Sequence, residues 1–199
     1  MPEHPPSRGR PGRAETAEAL VIGTRRLDLV PISLAGMSAV LAGDWDEAAG
    51  LVGSPLPEEW RREGWGWLDH HVTEAVHDPS STAWGPRLLL RRTADVRGRG
   101  DAAVVGEAGF HGRPDERGEV EIGYMTAAEH RRQGYAEEAA SALLTWAAGR
   151  GVTSCKASVD PLNAPSINLL RKLGFGEAGR YCHVERGEQL LFRRCTNEP

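Results

Sequence analysis

Ala136, Ala139, Ala140, Leu143, Leu144 and Ala147 recur at i, i+3, i+4, i+7, i+8 and i+11, the spacing of a helix with one buried face. Upstream, Glu119 to Met125 alternates polar with apolar residues. Downstream, Thr153 to Val159 sets Cys155, Ala157 and Val159 between polar neighbours, after Gly149 and Gly151 stop the helix. The chain must therefore build a β, α, β unit, and everything else has to pack around it.

The flanking text completes a sheet. Arg26 to Val30 alternates as a half-buried strand up to Pro31, and Arg87 to Arg92 with Ala102 to Phe110 reads as a hairpin over the polar loop Ala94 to Asp101. Two late strands are expected near Glu177 to His183 and Gln189 to Arg194. Ile32 to Leu41 predicts a short helix with Ser33 as its cap, and Trp45 to Leu51 another turn or two. Glu58 to His77 predicts a longer helix made irregular by Gly64 and Gly66. Asn163 caps a last helix in which Ser166, Leu169, Leu170 and Leu173 share a face before Gly174 ends it. Met1 to Ala19 is rich in Pro, Gly, Arg and Glu without apolar period and reads as a disordered tail. Residues 20–199 then form one domain, a size that suits 199 residues.

Composition removes several function classes. Net charge is −4 (24 Lys+Arg against 28 Asp+Glu), with none of the basicity of a nucleic-acid binder. No run approaches the roughly 18 apolar residues of a membrane span, and the N-terminus lacks a signal-peptide core, so a cytoplasmic protein is expected. Cys155, Cys182 and Cys195 form neither a disulfide framework nor a zinc cluster. His70 and His71 are adjacent rather than four apart, so no metal site is expected. Lys156 and Lys172 are the only lysines and neither follows the Gly of a Walker loop. Gly98-Arg-Gly-Asp-Ala-Ala103 matches a dinucleotide fingerprint in letters only, because a strand and not a helix follows it.

The chemistry is concentrated where the strand Glu119 to Met125 meets the amphipathic helix, through Arg131-Arg-Gln-Gly-Tyr-Ala136. The first turn of a helix carries unpaired N–H groups and about half a positive charge, Gly134 lets a ligand approach the backbone, and the arginine forks suit phosphate oxygens. A pyrophosphate-bearing ligand fits that turn; a solvated arginine run before a surface helix would read the same in isolation.

Arg131-x-x-Gly134-x-Ala136 resembles the Arg/Gln-x-x-Gly-x-Gly/Ala element of the GCN5-related N-acetyltransferase (GNAT) family. Val120-Glu-Ile-Gly-Tyr124 is similar to its fourth strand, and Asn163-Ala-Pro-Ser166 through Lys172-Leu-Gly-Phe175 to its second cofactor helix, closest to the branch with ribosomal-protein N-terminal acetyltransferases. The resemblance implies an α+β fold, with a mixed, mostly antiparallel sheet, helices on both faces, and fourth and fifth strands that splay apart around acetyl-CoA. By it, Met125 and Thr126 meet the pantetheine and thioester. Arg131, Arg132, Gln133, Gly134, Tyr135 and Ala136 hold the pyrophosphate, and Asn163 and Ser166 stand near the thiol. Asn163 and Ser166 equally suit a plain helix start.

The resemblance further implies direct transfer of the acetyl group to a primary amine, a protein N-terminus or a small molecule, with no covalent enzyme intermediate. An alkylamine arrives protonated near neutral pH and needs a base, for which Glu107 and Glu121 are the candidates. Leu170 stands where many relatives carry the Tyr that protonates the departing thiolate, which leaves Ser166 as the substitute acid. Tyr124 reads as sheet core with its hydroxyl at the rim, and Cys155 as a small core residue rather than an acyl acceptor. His111 reads either as acceptor-site lining or as a surface residue. Trp60, Trp65, Trp67 and Trp84 read either as an acceptor wall or as core. Loss of the usual acid also suits a non-catalytic acyl-CoA sensor, and the late strands or the Trp-rich helix could pair across a homodimer.

Overall fold

A computed structural model of the chain describes residues 20–63, 68–92 and 102–196. The tail read at Met1 to Ala19, Trp65, Trp67 and the Ala94 to Asp101 loop lie outside the described residues. Eight strands form one sheet: β1 (Ile22–Gly23), β2 (Leu27–Pro31), β3 (Arg87–Arg91), β4 (Val104–Phe110), β5 (Glu119–Thr126), β6 (Ser154–Val159), β7 (Gly176–His183) and β8 (Gly187–Cys195). Their order across the sheet is β1-β2-β3-β4-β5-β6-β8-β7. Every pairing is antiparallel except β5 with β6.

The helices are α1 (Leu34–Ala42), α2 (Trp45–Val52), α3 (Glu58–Glu63), α4 (Leu68–His77), α5 (Tyr135–Ala148) and α6 (Ala164–Lys172). Ser33 caps α1 through its side chain as expected, accepting from the Gly36 N–H. Of the helix read over Glu58 to His77, the structure describes α3 and α4, and the stretch 64–67 with Gly64 and Gly66 lies outside the described residues. α5 buries Ala139, Ala140, Leu143, Leu144 and Ala147, the face its periodicity announced. In α6 the buried positions are Ile167 and Leu170, with Ser166, Leu169 and Leu173 only part-buried, so the face is turned by one residue from the expected one.

Helices cover both faces of the sheet. α5 and α6 pack with Leu27, Leu29, Leu89, Phe110, Val120 and Ile122, while α1 to α4 pack with Leu88, Leu90 and Val104. The alternation along β3 sends neighbouring leucines to opposite sides, which is how a fully buried strand serves two cores.

What positions the site is the short parallel contact. β5 and β6 are in register only at Glu119↔Ser154, Val120↔Cys155 and Glu121↔Lys156. Beyond it, Ile122 to Thr126 pair with β4, and Ala157 to Val159 pair with β8. The expected splay between the strands around Glu119 to Met125 and Thr153 to Val159 is present. No helix among the described residues is long and apolar enough to cross a membrane.

Candidate active site

The turn from β5 into α5 is held in two left-handed residues. Gly134 is the N-cap at φ 78°, with no side chain capping the helix, and Arg132 is at φ 62°. A non-glycine residue there costs about 1–2 kcal/mol, so the turn is strained at the position where two arginines lead into uncapped helix amides. We expect Gly134→Ala to carry the same penalty, with its Cβ 3.4 Å from the Arg26 Nη2. Thermal unfolding should fall by roughly 2–8 °C for about 1–2 kcal/mol in a domain of this size, and coenzyme A affinity, read by calorimetry, should weaken about tenfold.

A residue far away in sequence fixes this turn. Arg26 donates from Nη1 to the Gln133 carbonyl at 2.8 Å and from Nε to Glu138 Oε2 at 2.6 Å, and its guanidinium lies 4.7 Å from the Tyr135 ring centroid. Glu138 Oε1 accepts from the Thr24 hydroxyl at 2.7 Å and from the Arg26 N–H at 2.7 Å. Burial would raise the Glu138 carboxyl, but the bonds from Thr24 and Arg26 outweigh it and hold it below its ordinary value. Sequence reasoning missed this clamp. Its only sign was an Arg just before β2 and a Glu one turn into α5, more than a hundred residues apart.

Nine of the anticipated residues come together. A groove of about 770 Å³ is lined by Tyr124, Met125, Thr126, His130, Arg131, Arg132, Gly134, Tyr135, Ala136, Glu137, Asn163, Pro165, Ser166 and Leu169. Gln133 is not among them; its carbonyl accepts from Arg26, and its side chain donates to the Glu129 carbonyl. The Arg131 Nε donates to the Thr126 carbonyl at 3.1 Å, tying the end of β5 to the basic turn. Asn163 caps α6, its Oδ1 accepting from the Ser166 N–H at 3.1 Å, and still reaches the groove.

A second cavity of about 280 Å³ adjoins the groove, and Tyr124, Asn163 and Ser166 line both. Its other walls include Glu107, His111, Gly123, Ser158, Asp160, Leu170, Arg186 and Gln189. Tyr124 is more than rim decoration: its hydroxyl is 2.9 Å from Ser166 Oγ, and burial raises its pKa above the ordinary value. Leu170, 1% exposed, is core and cavity wall at once.

The two carboxylates proposed as bases differ in placement. Glu107, on β4, is 3% exposed and lines the second cavity. Glu121 does not line it. Its Oε1 accepts from the Ser158 hydroxyl at 2.8 Å and lies 3.7 Å from His111 Nδ1, and Lys156 Nζ is 3.8 Å from Oε2. His111, one of whose two readings was a surface residue, is half-buried in the cavity wall.

The remaining candidates settle as core. Cys155 is fully buried, and burial pushes its thiol up to about 12, which removes the thiolate an acyl acceptor needs. Trp60 is fully buried, and Trp84 packs on Phe110 and Trp146 at 5.6 and 4.8 Å; neither lines the second cavity. Among the described residues no cluster of three His, Cys, Asp or Glu side chains is arranged to hold a metal ion.

Comparison with known proteins gives a consistent picture. The profile described as "Acetyltransferase (GNAT) domain" matches residues 26–176. The chain is 47% identical over 73 residues to the uncharacterized N-acetyltransferase YjdG of Bacillus subtilis, covering 36% of this chain and 44% of that protein. It is 36% identical over 138 residues to the uncharacterized N-acetyltransferase p20 of Bacillus licheniformis, covering 63% of this chain and 78% of that protein. The chain thus spans less than half of YjdG and most of p20. Among solved structures, a GNAT-family acetyltransferase from Bacillus anthracis superimposes with TM-score 0.58 at 18% identity, covering 89% of this chain and 99% of that one. RimL, a ribosomal L7/L12 α-N-protein acetyltransferase in complex with coenzyme A, gives TM-score 0.57 at 17% identity, covering 88% and 97%. At that identity the likeness concerns the fold.

Proposed function

The chain belongs to the GNAT acetyltransferase family, and from that premise we propose that it carries the acetyl group of acetyl-CoA directly to a primary amine. One observation carries the proposal: a long groove beginning at a basic helix N-terminus and a smaller polar cavity meet at Tyr124, Asn163 and Ser166. The groove suits an extended pantetheine with a pyrophosphate at its far end, and its volume of about 770 Å³ lies within the range of ligand clefts. The bound cosubstrate supplies the activated acetyl thioester. Met125 and Thr126 offer the free edge of β5 to pantetheine and the thioester, with an N–H near Met125 for the developing oxyanion. Arg131, Arg132, Gly134, Tyr135 and Ala136 hold the pyrophosphate, and Gln133 serves through its backbone.

The acceptor amine enters the second cavity. Glu107, a nearly buried carboxylate with Asp160 in the same wall, selects an ammonium over a neutral or anionic group. The Tyr124–Ser166 hydroxyl pair stands at the junction and passes a proton to the departing thiolate, the work that Leu170 cannot do. A thiol of pKa about 8.5 needs only modest help to leave.

The test is release of free thiol from acetyl-CoA by the full chain, with a panel of alkylamines, polyamines and short peptides bearing free N-termini. Sustained, amine-dependent release is expected. Tight coenzyme A binding without turnover across the panel would instead indicate an acyl-CoA sensor.

A further inference from the structure

We infer that His111 is the base that deprotonates the acceptor ammonium, with Glu121 as the residue that orients it; the inference rests on the transferase reading above and assigns its proton transfer. The geometry is a carboxylate–imidazole pair laid along β5. The His111 N–H donates to the Glu121 carbonyl at 2.8 Å, which fixes the two residues opposite each other where β4 ends. The His111 Nδ1 then lies 3.7 Å from Glu121 Oε1, and its Nε2 lies over Gly123, only 2.7 Å from where a Cβ on that residue would stand. The ring therefore reaches from Glu121 toward the Met125 end of β5, the end that lines the groove, and Gly123 is the residue whose missing side chain lets it lie there.

Glu121 is itself held. Ser158 donates to its Oε1 at 2.8 Å, and Tyr181 donates to the Ser158 oxygen at 3.0 Å, so β6 and β7 brace the carboxylate from the far side. Charged and titratable groups surround the imidazole: Glu121 from β5, Lys156 from β6, Arg186 from the β7–β8 turn, His70 and His71 from α4, and Glu107 in the same cavity wall. Burial lowers the His111 pKa, Arg186, His70 and Lys156 add to the lowering, and Glu121 opposes it. The ring is consequently neutral near pH 7, the form that can accept a proton.

The proton balance closes without a further reactant. One N–H proton of the acceptor ammonium moves to the His111 Nε2, and the imidazolium is stabilised by Glu121 at Nδ1. The freed nitrogen pair bonds to the thioester carbon, and the C–S bond breaks. A second proton from the same nitrogen reaches the sulfur through Ser166 and Tyr124, leaving amide and free thiol. His111 returns its proton to solvent.

The test compares wild type, His111→Gln and Glu121→Gln with acetyl-CoA and two probe amines, n-butylamine and a fluorinated alkylamine already uncharged at pH 7. His111→Gln should lose about 100-fold in kcat with n-butylamine and far less with the fluorinated amine, because general-base catalysis contributes roughly 10²–10⁴-fold only where a proton must be removed. Its coenzyme A affinity should stay at the wild-type value, which separates lost chemistry from lost folding. Glu121→Gln should keep measurable turnover but move the acidic limb of the kcat/KM profile to lower pH, since the charge that raised the His111 pKa is gone. Wild-type turnover with an unchanged rate and acidic limb in His111→Gln overturns the assignment alone. Absence of wild-type turnover with every amine overturns both the assignment and the transferase reading.

Discussion

Glu138→Ala is expected to weaken acetyl-CoA binding by about 100-fold while leaving kcat at saturation within a few-fold of wild type. One carboxylate receives three bonds from Thr24 and Arg26, and Arg26 in turn holds the Gln133 carbonyl and the Tyr135 ring. Bonds to charged groups contribute about 1.5–3 kcal/mol each, and their loss frees a turn that already carries Arg132 in a left-handed conformation. A net loss of about 2.7 kcal/mol corresponds to the stated factor. Acetyl-pantetheine, which has no pyrophosphate, should be used equally well by variant and wild type. The comparison of the two acyl donors, with thermal unfolding as a check on folding, decides it: equal losses for both donors would mean that Arg26 and Glu138 merely hold the fold together.

The second large effect is on stability against acid. His71, on α4, is 3% exposed, and its pKa is lowered from 6.5 to about 4, first by burial and then by His70 and His111, against a raising backbone hydrogen bond at Phe110. Above pH 6.5 neither folded nor unfolded His71 is charged, so it contributes nothing to the pH dependence. As pH falls through 6.5 the unfolded chain takes up a proton that the folded one refuses until about pH 4. Folding free energy is therefore lost across that window, by about 3 kcal/mol in all. Denaturant titrations at pH 7 and pH 4 should show that loss in the wild type, and His71→Gln should be flatter by the same amount. Parallel curves for the two proteins would refute the attribution.

How far the sequence spoke depended on the distance over which each feature is encoded. α5 was legible because its six small and apolar positions lie within one helix, and the basic turn because its parts are adjacent. The Ser33 and Asn163 caps are similarly local. The α6 face turned on Ile167, which the pattern alone could not rank above Leu169. The features that matter most for chemistry were the least visible. Tyr124 meets Ser166, Arg26 meets Glu138, and His111 meets Glu121 only after β2, β4, β5 and the two helices are assembled, and no short spacing marks any of these pairs.

Among the described residues the strand pairing between β5 and β6, which joins the two leaves of the sheet, runs to three register pairs. One leaf carries the wall with Glu107, Tyr124 and Met125, the other the wall with Ser158 and Asp160. A molecule lying in the wedge between them touches both, and so takes over part of the stitching that the missing ladder would have done. Occupancy and rigidity are then two readings of one event, and the wedge is the seam along which the sheet would first gape.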